Sequence, residues 1–433
     1  MRVLIKNGLL IDPKNKIKEK LDVLIVDKLI KNISKNITEE VDHIIDADGF
    51  IVSPGFVDIH ANFCDPGVTS REDLKSGSIS AAKGGYTHVI LGTENKPAPS
   101  ECNVIDYIVK YSNIMPINLY PSGAVTEDRA GEDLADLQFL SNHGAYEFFD
   151  GLRPIEDKQL LKSAMLKSKS LSKIISIYSE NLEKVKVRGI LDTPIATSLS
   201  IKGATKITSE IDDLKENVNL AIETGAKVDF AYISSKESVE LARESKENNK
   251  NLFFETQALS LILTDKSLKT KGTLSKVLPP LRSEDDRVAL IRGLKKGIID
   301  IVSSNHMPSL MVDKEEKMKD ASIGAIGLEM TLGICGKILY DKNGFSWNDI
   351  IEKISYNPAR IFELEKYGAG SLSIGLPANV VIFDPKEKWI VNVDNIASKS
   401  KNSPLIGEEL YGKVKYTICN GKLVYKDINL IKE

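Results

Sequence analysis

Histidine is scarce in this chain of 433 residues, which carries His43, His60, His88, His143 and His306. One of them closes the short apolar run Phe56-Val57-Asp58-Ile59-His60, and Ala61-Asn62-Phe63-Cys64-Asp65-Pro66-Gly67 follows. A barrel strand that delivers a metal ligand to the mouth of an active site ends in this way. Two imidazoles two residues apart on a strand point to the same side and share one metal, so a metal hydrolase wants His-x-His here. The second position is instead Asn62, whose neutral amide oxygen is a poor zinc ligand beside an imidazole. His43 lies in a β-rich N-terminal stretch, His88 inside the run 87–91, and His143 in a turn beside Gly144, all places that suit surface or structural roles. Only His60 and His306 fall where a strand meets a loop. Two histidines do not build a histidine-rich binuclear centre unless carboxylates supply the missing ligands.

The elements that must position these residues follow from hydrophobic patterning. Between residues 54 and 365, strand-like runs alternate with helix-length segments, which implies βα units around a parallel sheet. The strand candidates are 56–60, 87–91, 117–120, 146–149, 174–178, 227–233, 252–256 and 299–303, and eight of them fit an α/β (β/α)8 TIM barrel. Residues 1–53 carry short β-type runs at 3–6, 23–26, 30–33 and 44–46, punctuated by Asn7-Gly8 and Asp48-Gly49. Residues 366–433 turn β-rich again at 379–383, 389–391, 414–419 and 422–425, with Asn420-Gly421 as a hairpin turn. The two ends are expected to form one composite β-sandwich beside a barrel of residues 54–365.

Composition narrows the function classes. Hydrophobic content of 42% and charged content of 27% describe an ordinary globular protein, long enough for a barrel core and a smaller domain. Lys and Arg (58) nearly balance Asp and Glu (61), so no charge excess points to nucleic acid or a membrane surface. Cys64, Cys102, Cys335 and Cys419 lie far apart without CxxC spacing, which suits a reducing cytoplasm. The N-terminus has no long apolar core of the signal-peptide kind, and no stretch is apolar enough to span a bilayer.

Six words resemble, in order, the dihydroorotase branch of the amidohydrolase superfamily: PGFVDIHANFCDPG (54–67), GAVTED (123–128), KVLPPLRSEDDRVALIRGLKKGIIDIVSSNHMPS (276–309), IGLEMTLGI (326–334), YNPARIFEL (356–364) and SKSKNSPLIGEEL (398–410). The resemblance implies a TIM barrel with a β-sandwich and an ancestral role in closing carbamoyl-aspartate to dihydroorotate in pyrimidine biosynthesis. It also implies which positions have changed. The metal-binding HxH becomes His60 and Asn62, and the arginine that grips the substrate carboxylate becomes Cys64, which has no charge-assisted fork to offer. The second carboxylate-binding residue, an asparagine, falls near Glu94 and Asn95, where Glu94 would repel an anionic substrate. The acidic metal bridge falls at or next to Asp150, and the two later histidine ligands become Tyr178 and Tyr232. The substrate asparagine of NPPLR becomes Leu278, and the catalytic aspartate, both ligand and general base, becomes Asn305. His306, an orienting group in the family, remains, while the second histidine of that word is Ser309.

The family chemistry needs a metal to polarise a carbonyl and lower the pKa of water, and a carboxylate to shuttle the proton. Asn305 cannot take that proton, and protonated tyrosines are poor ligands. His60 and Asp150 are the metal-site remnants, His60 being expected to hydrogen-bond Asp150 or Asn305 in an otherwise open cleft. No cofactor is therefore expected. The barrel, NPAR and sandwich words survive where the ligands do not, which points to a chain kept for its fold. Some family members without the ligands associate with aspartate carbamoyltransferase, so that enzyme is the expected partner, with a homo-oligomer left open. The alternative is a metal-dependent cyclic amide hydrolase, holding zinc or a harder cation through His60, Asp150, Glu94, Glu180 and Asp65.

Overall fold

Seven short strands fill the first 54 residues: β1 (Arg2–Lys6), β2 (Leu9–Asp12), β3 (Ile17–Lys20), β4 (Asp22–Val26), β5 (Leu29–Ser34), β6 (His43–Asp46) and β7 (Ile51–Pro54). The computed structural model describes residues 1–427; residues 428–433, which the sequence assigns to the sandwich, lie outside the described residues.

The barrel follows with β8 (Phe56–Ala61), β9 (Tyr86–Leu91), β10 (Asn118–Pro121), β11 (Phe148–Phe149) and β12 (Ile175–Tyr178). After a side excursion that pairs β13 (Val187–Leu191) with β14 (Ala204–Thr205), it continues through β15 (Val228–Ala231), β16 (Leu252–Gln257) and β17 (Ile301–Ser303). The eight barrel strands coincide with the eight runs read from the sequence. They pair in parallel as β10-β9-β8 and β11-β12-β15-β16-β17. A bridge between Gly123 and Phe148 joins the two groups on one side. On the other, Asn62 N–H donates to the His306 carbonyl (2.9 Å) and Ser304 N–H to Asp58 Oδ1 (2.8 Å), closing the ring.

Helices return the chain between strands, and several begin on side chains suited to cap them. Asp73 and Ser76 form a capping box on Leu74–Lys83, and Ser283 and Asp286 do the same on Glu284–Lys295. Asp157 caps Lys158–Ser170, and Ser235 caps Lys236–Lys246.

The last strands, β18 (Val380–Ile390), β19 (Glu409–Cys419) and β20 (Lys422–Lys426), complete a six-stranded sheet of order β20-β19-β18-β7-β2-β3. Asn420 (φ 50°) and Gly421 (φ 74°) turn β19 into β20, the left-handed pair that a tight hairpin requires. Side chains alternate across a strand, and this sheet uses both faces. Leu10, Val52, Val380, Ile382 and Ile418 pack with Ile5, Val23 and Ile25 of the four-stranded sheet β5-β4-β1-β6. Their neighbours Ile11, Ile51, Val381, Phe383 and Cys419 share the barrel's own core. The mouth residues therefore stand on a barrel braced by a sheet built from both chain ends.

Candidate functional site at the barrel mouth

His60 sits near the C-terminal end of β8 with its side chain fully enclosed. Its Nε2 lies 3.1 Å from Glu147 Oε1, and its Nδ1 3.2 Å from Glu255 Oε2. Burial alone would lower the imidazole pKa, but the two carboxylates outweigh it and hold the group well above the usual histidine value. This corrects the expectation that His60 would lean on Asp150 or Asn305. Glu147 immediately precedes β11 and also accepts from the Ser122 (2.9 Å) and Ser176 (2.6 Å) hydroxyls. Glu255, on β16, accepts from Ser303 Oγ.

Two more acids line the same interior. Asp229, on β15, is fully buried, and that burial together with the neighbouring Glu255 raises its pKa well above the usual value. Asp58, on β8, is raised to about 7 by burial although Ser304 donates to both of its oxygens. Sequence reasoning from family words passed over Glu147, Asp229 and Glu255. The available signal was an acid set inside an apolar barrel strand, which is costly unless something compensates it.

The mouth above is not an open cleft. Tyr178, Tyr232 and Leu278, three positions where the family expects polar ligands or a substrate contact, pack with Phe149, Leu152 and Ala231 into one apolar cluster. Met307 and Ile323 lie against it. The Phe149 ring rests on the His60 imidazole with centroids 4.1 Å apart, and Tyr232 approaches edge-on at 5.9 Å. Burial pushes the Tyr178 and Tyr232 hydroxyls far above the usual phenol pKa, which keeps them neutral. Asn305 donates to Gln257 Oε1 (2.7 Å) and to the Leu278 carbonyl (2.6 Å), so the general-base position is a strap between β16 and the loop carrying Leu278.

The remaining candidates are brought to the rim but not to one centre. Asp150 accepts from Val125 N–H (2.7 Å), Thr126 N–H (3.2 Å) and Thr126 Oγ1 (2.6 Å), and it is absent from the group of possible ligands around His60. Glu94 is neutralised by Arg129 (2.7 Å), a buried guanidinium that the sequence did not single out, so its charge does not stand free. Glu180 pairs with Arg188 (2.5 Å). Asp65 accepts from Leu74 N–H and the Tyr107 hydroxyl, tying down the start of the first barrel helix. Asn95 reaches the Pro66 carbonyl, and Ser309 N–H donates to Asn402. Cys64 is buried, which raises its thiol to about 12 and makes it inert as a nucleophile. His306 Nδ1 accepts from Gly327 N–H (3.3 Å), which leaves its other nitrogen facing Glu72 at 3.5 Å.

The backbone is strained at four of these positions. His60 (φ 67°), Cys64 (φ 55°), Tyr232 (φ 61°) and Asn305 (φ 44°) are all left-handed. Side chains other than glycine adopt this region at a cost of about 1–3 kcal/mol each, typically where a site demands it. Despite this strained frame, a binuclear centre of the family type does not fit these residues. An apolar cluster takes its ligand positions, and the Asn305 amide is committed to two oxygen acceptors.

The fold and the position of this site at the barrel mouth define the amidohydrolase class, and residues 160–424 match the amidohydrolase family. Residues 49–238 match the family described as dihydro-orotase-like. The chain is similar to the dihydroorotase of Clostridioides difficile strain 630, 38% identical over 424 residues that span 98% of this chain and 99% of the relative. It is similar also to the dihydroorotase of Clostridium acetobutylicum, 37% identical over 426 residues that span 98% and 100%. The chain belongs to the dihydroorotase family of the amidohydrolase superfamily. Among solved structures, its fold matches the L-hydantoinase (dihydropyrimidinase) of Arthrobacter aurescens, with TM-score 0.87, 23% identity and coverage of 98% of this chain and 96% of that one. The dihydropyrimidinase of Brevibacillus agri matches with TM-score 0.85, 20% identity and coverage of 99% and 95%. No helix among the described residues is long and apolar enough to cross a membrane.

Proposed function

We propose that this chain is a non-catalytic dihydroorotase-family protein of pyrimidine biosynthesis, acting as a structural subunit for aspartate carbamoyltransferase. The observation that carries the first half is the apolar cluster of Phe149, Tyr178, Tyr232 and Leu278 across the barrel mouth. Ring closure of carbamoyl-aspartate needs a Lewis acid, a proton shuttle and a grip on two carboxylates. Here tyrosines, an amide and a leucine stand in those places, and Arg129, a buried cation at the rim, is already paired with Glu94. The second half rests on the retained barrel and sheet, a frame kept intact around a closed mouth.

The purified chain, supplied with zinc, is expected to interconvert carbamoyl-aspartate and dihydroorotate at the background rate, and to co-elute with the transferase of the same cell. Turnover abolished by His60→Ala would sink the non-catalytic half. A transferase that assembles and works normally in cells lacking this chain would sink the other.

A second reading is a metal-dependent cyclic amide hydrolase with a reorganised site. The dihydroorotase names of the relatives and the convergence of His60, Asp229 and Glu255 favour it. The same turnover assay separates the two.

A further inference from the structure

Inside the barrel, His60 Nδ1, Glu255 Oε2, the Tyr232 hydroxyl and both carboxylate oxygens of Asp229 are buried and make no hydrogen bond among the described residues. A buried polar atom left unpaired costs about 1–3 kcal/mol, so such a concentration calls for a ligand. Atoms of His60, Asp229 and Glu255 lie within 4.8 Å of one another. His60 Nδ1 and Glu255 Oε2 are 3.2 Å apart yet not aligned for a hydrogen bond. That separation is the edge of a tetrahedron around an ion about 2.0 Å from each ligand, an edge of about 3.3 Å.

The surroundings are those of a metal ligand's support. His60 turns its other nitrogen to Glu147, which Ser122 and Ser176 hold in place, the carboxylate–histidine arrangement that fixes the ring with Nδ1 free to ligate. Glu255 is anchored through its other oxygen by Ser303. Protons shared by His60 and Asp229 with Glu255 are the competing way to satisfy the cluster. A dication would serve all three groups and balance two carboxylates with a neutral imidazole.

We propose that His60, Asp229 and Glu255 form a mononuclear site for a divalent first-row cation, sealed inside the barrel with Tyr232 beside it. It shares only His60 with the ligand positions implied by the family words. With every ligand side chain buried, its role is to hold β8, β15 and β16 together and not to meet a substrate. A half-exposed group of Cys102, Asp106 and His143 on the outer helices is the competing place for an ion, although its His143 and Asp106 already pair at 2.8 Å.

The test is metal content by mass spectrometry on protein expressed with supplemented Zn2+ and purified without chelators, since a sealed site loads during folding. Wild type is expected to carry about one zinc per chain. Asp229→Asn and Glu255→Gln are each expected to lose at least about fivefold, and Cys102→Ser to lose nothing, because only the interior carboxylates are ligands. Folded wild type with less than about a tenth of an ion per chain would overturn the site outright, whatever the variants do. Undiminished metal in either carboxylate variant, or its loss in Cys102→Ser, would do the same. Should Asp229→Asn not fold, Glu255→Gln and wild type still decide.

Discussion

An aspartate at position 305 would set carboxylate oxygens against the Gln257 and Leu278 oxygens to which Asn305 now donates at 2.7 and 2.6 Å. Restoring the family's general base is therefore not a restoration in this chain. Asn305→Asp is expected to lower unfolding free energy by about 1–3 kcal/mol, the usual cost of stranding buried acceptors, and to add no dihydroorotase turnover. Urea unfolding of the variant beside wild type measures the first, and a variant as stable as wild type would show the strap to be dispensable. At this scale the residue types at the positions of the family words were legible, because each sits at a fixed place in a word. How those residues meet was not legible. That Tyr178, Tyr232, Leu278 and Phe149 meet depends on four separate barrel segments converging, and the pairing of His60 with Glu147 and Glu255 depends on the same convergence.

Among elements, the segment after β17 is tied to the loop before the Glu284–Lys295 helix by two buried lysines. Lys314 Nζ reaches the carbonyls of Thr273 (3.3 Å), Lys276 (3.2 Å) and Ser322 (2.9 Å), while Lys276 Nζ reaches those of Lys319 and Ala321 (both 2.8 Å). Burial, with a smaller push from Lys276, lowers the Lys314 pKa to about 7. The unfolded chain binds this proton up to about pH 10, so between 7 and 10 it holds a proton that the folded chain lacks, and stability rises with pH across that window. Relative to Lys314→Met, wild type is expected to gain up to about 1.4 kcal/mol per pH unit between pH 7 and 9. Urea titrations of both proteins at the two pH values supply the comparison. A constant gap would mean that the carbonyl cage keeps the ammonium charged.

The strands themselves show what patterning carries. All eight barrel runs were readable because strands buried on both faces are nearly continuous in apolar residues. β2, β3 and β7 were not read as strands: Ile17–Lys20 is one apolar residue and three polar ones on a sheet edge, and Ile51–Pro54 ends in proline. The runs 379–383 and 389–391 prove to be one strand, β18, whose charged middle breaks the register with β19 between Asp384 and Lys388.

For the whole molecule, the six-stranded sheet decides how the parts depend on each other. Its residues alternate between the sandwich core and the barrel core, so neither core is complete without it. Trp347, in the barrel-side helix Trp347–Ile351, packs its ring 5.0 Å from Phe383 of β18, and Trp389 of the same strand donates to the Gly412 carbonyl (2.9 Å). Tryptophan fluorescence thus reports the junction, and far-ultraviolet circular dichroism is dominated by the barrel helices. The two signals are expected to change together in one urea transition, as cooperative unfolding of a shared core requires. Val381 is fully buried on the barrel side of β18, between sandwich-facing Val380 and Ile382. A carboxylate there is expected to cost about 4 kcal/mol or more, so Val381→Asp should shift both signals to lower urea by the same amount. Separate transitions, with only the fluorescence moved by Val381→Asp, would instead make the sheet and the barrel independent units and leave the mouth without the brace assigned to it.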